Sequence, residues 1–185
     1  MPDNRFLFDL QGQTAVVTGG GGVLGSAMCL ALAQAGARVV VLGRRVEVAN
    51  KVAEEICATG GQAIGISCDV TLREALEKTR AQITDTFGSI DILINAAGGN
   101  QAQATVSSER SFFELDEQAV ESTMRLNFTS TLLSCQVFGQ SMVAQGHGCI
   151  VNVASMSALR PLTRVVAYGA AKAAITNFTQ WLAVH

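Results

Sequence analysis

The β-branched run Ala15-Val16-Val17-Thr18 breaks into four consecutive glycines, Gly19 to Gly22, and the apolar pattern then resumes at Val23-Leu24-Gly25 and continues through Ala27 to Ala33. That order is strand, tight turn, helix. Gly20, Gly22 and Gly25 have the G-x-G-x-x-G spacing, which lets main chain approach a diphosphate closely and aims the first free N–H groups of a helix at it. A glycine run alone is also compatible with a merely flexible turn. The β-branched residues before it and the helix of small residues after it favour a phosphate cradle, so a phosphorylated ligand is expected there.

At 185 residues the chain suits one domain, read here as spanning 1–185. Apolar residues make up 49% and charged residues only 15%, the profile of a parallel sheet covered by helices on both faces. The net charge is −2, the pI is near 5.7, and Arg44-Arg45 is the only basic pair, so nucleic acid is excluded as a partner. No apolar run reaches the ~18 residues of a membrane span, and Met1-Pro2-Asp3-Asn4-Arg5 lacks the regions of a secretory signal, so a cytoplasmic protein without a membrane partner is expected. Cys29, Cys57, Cys68, Cys135 and Cys149 form no C-x-x-C pair and read as reduced core thiols. His147 and His185 lie near no carboxylate or thiol in sequence, so no metal is expected.

Strands read at 13–18, 38–42, 62–67, 91–94 and 149–153, with helices at 23–36, 46–59, 71–87, 116–145 and from 165 onward. Thr71 reads as the N-cap of the third helix, with Glu74 completing a capping box. Strands alternating with helices predict a Rossmann-type doubly wound parallel sheet in three α/β/α layers, with ligands at the carboxyl ends of the strands. Thr18-Gly19, Gly43-Arg44, Asp69, Asn95 and Ser155 all fall just past strand ends and should share one rim.

Tyr168 and Lys172 stand four residues apart on the last helix and so project from one face. A phenol is a poor base near neutrality, and a neighbouring cation favours its phenolate. With Thr18-Gly19 to Gly25, Asp69-Val70, Asn95-Ala96-Ala97-Gly98, Asn127 and Ser155, this pair makes the chain resemble the short-chain dehydrogenase/reductase family along nearly its whole length. The resemblance implies an oxidoreductase interconverting a carbonyl and a secondary alcohol. Tyr168 would be the general acid/base and Ser155, 13 residues before it, would hold the substrate oxygen. Lys172 would favour the phenolate and bond the nicotinamide ribose, and Asn127 would hold a proton-relaying water. The cofactor would lie on Gly19, Gly22, Val23, Leu24, Gly25, Arg44, Arg45, Asp69, Val70, Asn95, Ala96, Ala97 and Gly98, with Tyr168 and Lys172 at its nicotinamide end. Plainer readings stand beside these: Asp69 as a helix cap, Asn127 as a helix asparagine bonding main chain, Asn95 as a tie between strands.

An acidic residue after the second strand would favour the free ribose of NAD(H), whereas Gly43-Arg44-Arg45 supplies cations, so NADP(H) is favoured and NAD(H) remains possible. Val23 replaces a glycine of the family's T-G-x-x-x-G-x-G pattern, and Ala171 stands where a serine often precedes the lysine. Relatives continue through two further strands and a substrate-covering segment, so the chain reads as C-terminally incomplete, with the fifth strand an open edge. The expectation is that the full-length protein is active, while these 185 residues turn over weakly or not at all. Gly98 to Gln103 resembles relatives acting on sugar acids and polyols, such as gluconate or mannonate/fructuronate dehydrogenases. A homo-oligomer, dimer or tetramer, is expected for the full-length protein. Two other classes stay open: a non-catalytic dinucleotide sensor or inactive fragment, and a nucleoside-cofactor methyltransferase, which leaves Tyr168 and Lys172 without a use.

Overall fold

A computed structural model describes residues 8–185. The reading of Met1 to Arg5 therefore lies outside the described residues. Five strands, β1 (Thr14–Thr18), β2 (Arg38–Gly43), β3 (Gln62–Ser67), β4 (Ile92–Asn95) and β5 (Cys149–Asn152), form one parallel sheet in the order β3-β2-β1-β4-β5. Helices α1 (Val23–Gln34) and α2 (Val46–Ala58) cover one face. Helices α3 (Arg73–Phe87) and α5 (Ser130–Gln145) cover the other, with α4 (Glu117–Met124) leading into α5 and α6 (Val166–Val184) following β5. The fold is therefore the doubly wound Rossmann-type α/β class that the alternation predicts.

The sheet explains the apolar runs. Every residue of β1 and of β4 is buried, because side chains that alternate between two faces meet helices on both. Val16, Val40 and Leu93 point into a core with Leu76, Ile83 and Phe138. Ala15, Val17, Val39 and Val41 point into the other, with Cys29, Val52 and Ile56. In register, Thr18 pairs with Leu42 and with Asn95, Asn95 pairs with Asn152, and Gly43 pairs with Ser67. The strands thus end level. Strand order reverses beside β1, so the glycine turn leaves the sheet at its switch point, where such folds open a crevice.

Three expectations need correction. Helix α3 starts at Arg73 after Leu72, which makes no side-chain cap, so Thr71 is not its N-cap. Asp69 takes both Thr71 donors instead: its Oδ1 accepts from the Thr71 N–H at 2.9 Å and from the Thr71 hydroxyl at 2.7 Å. These two bonds hold Thr71 in a local turn before the helix, which begins only after Leu72, so the Thr71 oxygen lies too early in the chain to cap it. The helix expected over 116–145 is interrupted by a π turn at Arg125–Thr129, which hydrophobic spacing does not reveal. Of the five cysteines only Cys29, Cys68 and Cys135 are buried. Cys57 faces outward near the end of α2, and Cys149 is exposed on β5, at the end of the sheet.

His147 meets a carboxylate that is distant in the sequence. Its Nε2 lies 3.3 Å from Asp91 Oδ1, a carboxylate 56 residues earlier in the chain. Asp91 is 6% exposed and fastens the amino ends of three strands. Its Oδ2 accepts from the Thr14 N–H at 2.8 Å and the Ser89 hydroxyl at 2.9 Å. Its own N–H donates to Thr14 O, and its carbonyl accepts from the Cys149 N–H. Removing the carboxylate leaves the buried Thr14 N–H without a partner. Asp91→Ala should therefore lower the unfolding free energy by about 2–3 kcal/mol, read from the midpoint of urea denaturation followed by circular dichroism. An unchanged midpoint would show that the three strand ends hold together without it.

Candidate active site

Two loops meet at the head of the sheet, and one hydroxyl holds them. Thr18 Oγ1 accepts from the Ala96 N–H at 3.2 Å and the Ala97 N–H at 3.1 Å, drawing the turn after β4 against the turn after β1. Gly19 has φ +67°, and a Cβ there would lie 2.8 Å from Ala97 Cα, so only glycine fits. Gly22 is the N-cap of α1 in extended conformation, and no side chain caps that helix. Its first N–H groups stay available to an anion. Val23, the departure from the family pattern, is 89% exposed and leaves the glycine turn undisturbed.

These turns line a cleft of about 720 Å³. Gly19, Gly22, Val23, Leu24 and Gly25 form its floor, and Arg44 and Arg45 stand at the end of β2. Asp69 and Val70 follow β3, and Ala96, Ala97 and Gly98 follow β4. Asn95, Tyr168 and Lys172, also expected around the cofactor, are not among the residues lining this cleft. Leu126, Cys68 and Val48 line it as well, and the sequence reading missed them. Leu126 and Cys68 adjoin the singled-out Asn127 and Asp69, which was the available signal; Val48 carries none. Burial raises the Cys68 thiol above its ordinary range, against a hydrogen bond from Thr79, so it lines the wall as a neutral group.

Asp69 is held as an anion. Desolvation, the largest single influence, pushes its carboxyl up, but the two hydrogen bonds from Thr71 and the charges of Arg44 and Arg125 outweigh it and leave the group below the usual carboxylate range.

Asn95 is 2% exposed beneath the rim. Its amide donates to Asn152 Oδ1 at 2.9 Å and to Cys135 Sγ at 3.3 Å, and its own Oδ1 has no partner.

Beyond Gly98 the remaining side chains gather. Asn127, fully buried in the π turn, donates to Gly99 O and to Thr123 O at 2.9 Å, and its Oδ1 accepts from the Gly99 N–H at 3.2 Å. Lys172 is 4% exposed, donates to Val153 O at 2.7 Å, and sets its ammonium 5.6 Å from the centre of the Tyr168 ring. A Cβ at Gly98 would lie 2.7 Å from Asn127 Oδ1 and 3.4 Å from Lys172 Nζ, so both side chains rest on that glycine. Desolvation holds the Lys172 amine below its usual range. Ser155 Oγ accepts from the Ser157 N–H at 3.2 Å and the Ser157 hydroxyl at 3.0 Å. Its own hydroxyl proton is left free to donate.

The donor set fits a nicotinamide dinucleotide. A main-chain cradle that a Cβ would fill, an uncapped helix N-terminus and two cations after β2 suit a diphosphate and a further phosphate, and Leu24 and Leu126 offer apolar wall to an aromatic base.

Residues 13–185 match the model of the family described as short chain dehydrogenase. An uncharacterized oxidoreductase of Bacillus subtilis, UxuB, is 44% identical over 185 residues, which are 96% of this chain and 66% of that protein. The NAD-dependent glycerol dehydrogenase of Listeria innocua is 35% identical over 177 residues, 96% of this chain and 66% of the enzyme. A crystal structure with bound NAD from Haemophilus influenza, described as a candidate D-mannonate oxidoreductase, superposes with TM-score 0.92 at 40% identity, covering 98% of this chain and 69% of that one. This chain thus spans about two thirds of the length of the curated relatives it matches. A matched family model over nearly all its residues, together with a fold shared at this identity, shows that the chain belongs to the short-chain dehydrogenase family.

Proposed function

We propose that the protein reduces a carbonyl, or oxidises the corresponding secondary alcohol, with a nicotinamide dinucleotide bound across the glycine turn and Tyr168 as general acid/base. The observation that carries this reading is the buried Lys172 ammonium, 5.6 Å from the Tyr168 ring centre and packed on Gly98 at the rim of the cleft. An amine kept out of water at a cost to stability, beside a phenol, has a use where that phenol exchanges a proton.

In the direction of reduction the substrate oxygen lies between two hydroxyls. Ser155, whose acceptor positions are taken by Ser157, donates its own proton as a hydrogen bond and fixes the oxygen. Tyr168 gives up its proton to that oxygen as negative charge develops, and the nearby ammonium stabilises the phenolate left behind. The bound nicotinamide supplies the hydride, and Lys172 holds its ribose. The proton returns to Tyr168 along Lys172 from water held at the Asn127 oxygens, the two amide hydrogens of that side chain being committed to Gly99 and Thr123. Asn95 contributes from below by holding the turn on which Ala96, Ala97 and Gly98 meet the cofactor.

Arg44 and Arg45 at the cleft, with no acidic residue after β2, favour NADP(H); NAD(H) is the second choice, since similar proteins have been crystallised with either. The substrate class is a sugar acid or polyol. Support comes from the polar stretch Asn100 to Gln103 and from relatives described as glycerol and D-threitol dehydrogenases. Residues 1–185 would act as a single dinucleotide-binding domain, with the full-length protein a cytoplasmic homo-oligomer.

Three outcomes test this. In the full-length protein Tyr168→Phe should cut turnover of sugar acids, polyols or ketones by about 10²–10⁴-fold while leaving the NADPH dissociation constant within about threefold; a fully active variant would remove the proposed acid/base, and a sensor would show no turnover to lose. Arg44→Asp should weaken NADPH about tenfold or more and spare NADH, as measured by nicotinamide fluorescence. Lys172→Met should abolish turnover yet leave the chain within about 1 kcal/mol of wild type in urea, or more stable, because it removes a desolvated charge. The lysine's cost is fully present below its lowered native value and is relieved as pH rises from there toward the ordinary 10.5, so the variant's relative gain should shrink over that interval.

A further inference from the structure

Three successive residues of the π turn act at three places in and around the cleft. Arg125 Nη2 donates to Thr71 O at 2.9 Å, Leu126 forms part of the wall, and Asn127 grips Gly99 beyond the far end. Widened i→i+5 turns of this kind recur at functional sites, where they change the direction in which consecutive side chains leave a helix. Asn127 and Leu126 have parts in the reading above. Arg125 does not.

The residue it holds belongs to a small, closed unit. Asp69 accepts from the Thr71 N–H and hydroxyl, the Asp69 carbonyl accepts from the Leu72 N–H, and the remaining acceptor of the turn, Thr71 O, is taken by Arg125. The charged groups facing Asp69 are Arg44 from the end of β2 and Arg125 from the π turn, with the neutral Cys68 thiol beside it on β3. Arg73, at the start of α3, is committed to Gln136 and Glu77. Two guanidinium groups therefore bracket one carboxylate, and one of them also pins its turn.

We propose that Arg125 is a positioning residue for the end of the dinucleotide that meets Asp69, which the family resemblance makes the adenine end: it fixes the Asp69–Thr71 turn to the same helical segment whose next-but-one residue, Asn127, fixes the turn at the nicotinamide end. This rests on the dinucleotide reading of the cleft. It goes further by making the π turn a single bracket that sets the distance between the two halves of the site.

The test uses the full-length protein with Arg125→Gln and Arg125→Lys, titrated with NADPH and NADH by nicotinamide fluorescence and with ADP by competition. Arg125→Gln should raise the dissociation constants of NAD(P)H and of ADP by the same factor, about tenfold, with the melting temperature of the ligand-free chain unchanged. Arg125→Lys should restore most of the affinity because it returns a cation to the same place. The inference is overturned if the glutamine variant binds like wild type, or if the loss spares ADP. It is equally overturned if the loss comes with a fall in ligand-free melting temperature that lysine does not reverse, which would make Arg125 a part of the scaffold alone. A wild-type chain that binds neither NADPH nor NADH would overturn the dinucleotide reading together with this one. Wild-type binding with an indifferent Arg125 sinks only the bracket.

Discussion

The contact between Gly19 and Ala97 is the constraint on which the rest depends. Two main-chain segments approach so closely that a single added carbon on Gly19 would collide with Ala97 Cα, and the Thr18 hydroxyl holds them there through two N–H donors. The approach exists because β1 and β4 are neighbours and end in register, Thr18 beside Asn95, at the point where strand order reverses. Strand order therefore decides that the glycine turn and the Asn95–Gly98 turn share a cleft. The uncapped N-terminus of α1 and the group of side chains beyond Gly98 are then separated by only the width of those two turns.

The end of the site around Lys172 is assembled by burial. Lys172 makes one hydrogen bond, to Val153 O, and rests on Gly98 beside Asn127, so its ammonium has given up most of its water for a single carbonyl and an aromatic face. Such an arrangement costs stability in the empty protein. It is tolerated where the group's charge is used. Asn127 meets a similar constraint differently: its amide hydrogens go to Gly99 and Thr123 and its Oδ1 accepts from the Gly99 N–H with one acceptor position to spare, so it stiffens the turn without carrying charge.

What could be read from the sequence was whatever depends on neighbours in the chain. Alternation of β-branched and helical stretches gave the parallel sheet, and the glycine spacing located the turn at its switch point. The approximate ends of α2, α5 and α6 followed from glycines and hydrophobic spacing. Interactions between distant residues were not legible. The Asp91–His147 pair joins positions 56 residues apart, and nothing in the spacing of either announces the other. Thr71 is no cap because Asp69 folds it into a local turn and the helix begins two residues later, at Arg73, a start that depends on how β3 ends. The π turn adds no new residue type to the helix that contains it, so its effect on Arg125, Leu126 and Asn127 emerges only in three dimensions. Leu126 became visible as cleft wall for the same reason.

The placement of α6 shows how side chains substitute for helix capping. Val165, at its N-cap position, makes no side-chain cap, so the start of the helix is not fixed by a local hydrogen bond of that kind. Its position is set further along, on the face that meets the sheet. Thr179 accepts from Asn152 Nδ2 at 2.9 Å, Asn152 accepts from Asn95 at 2.9 Å, and Lys172 reaches Val153, the residue after Asn152. Thr179 lies seven residues beyond Lys172, two turns along the same face, so both anchor points fall on the line where α6 crosses the end of β5. Tyr168, one turn before Lys172, is thereby carried at a fixed height above the Asn95 turn. Asn95 thus acts without lining the cleft: through Asn152 it connects the turn that lines the cleft to the helix that bears the phenol.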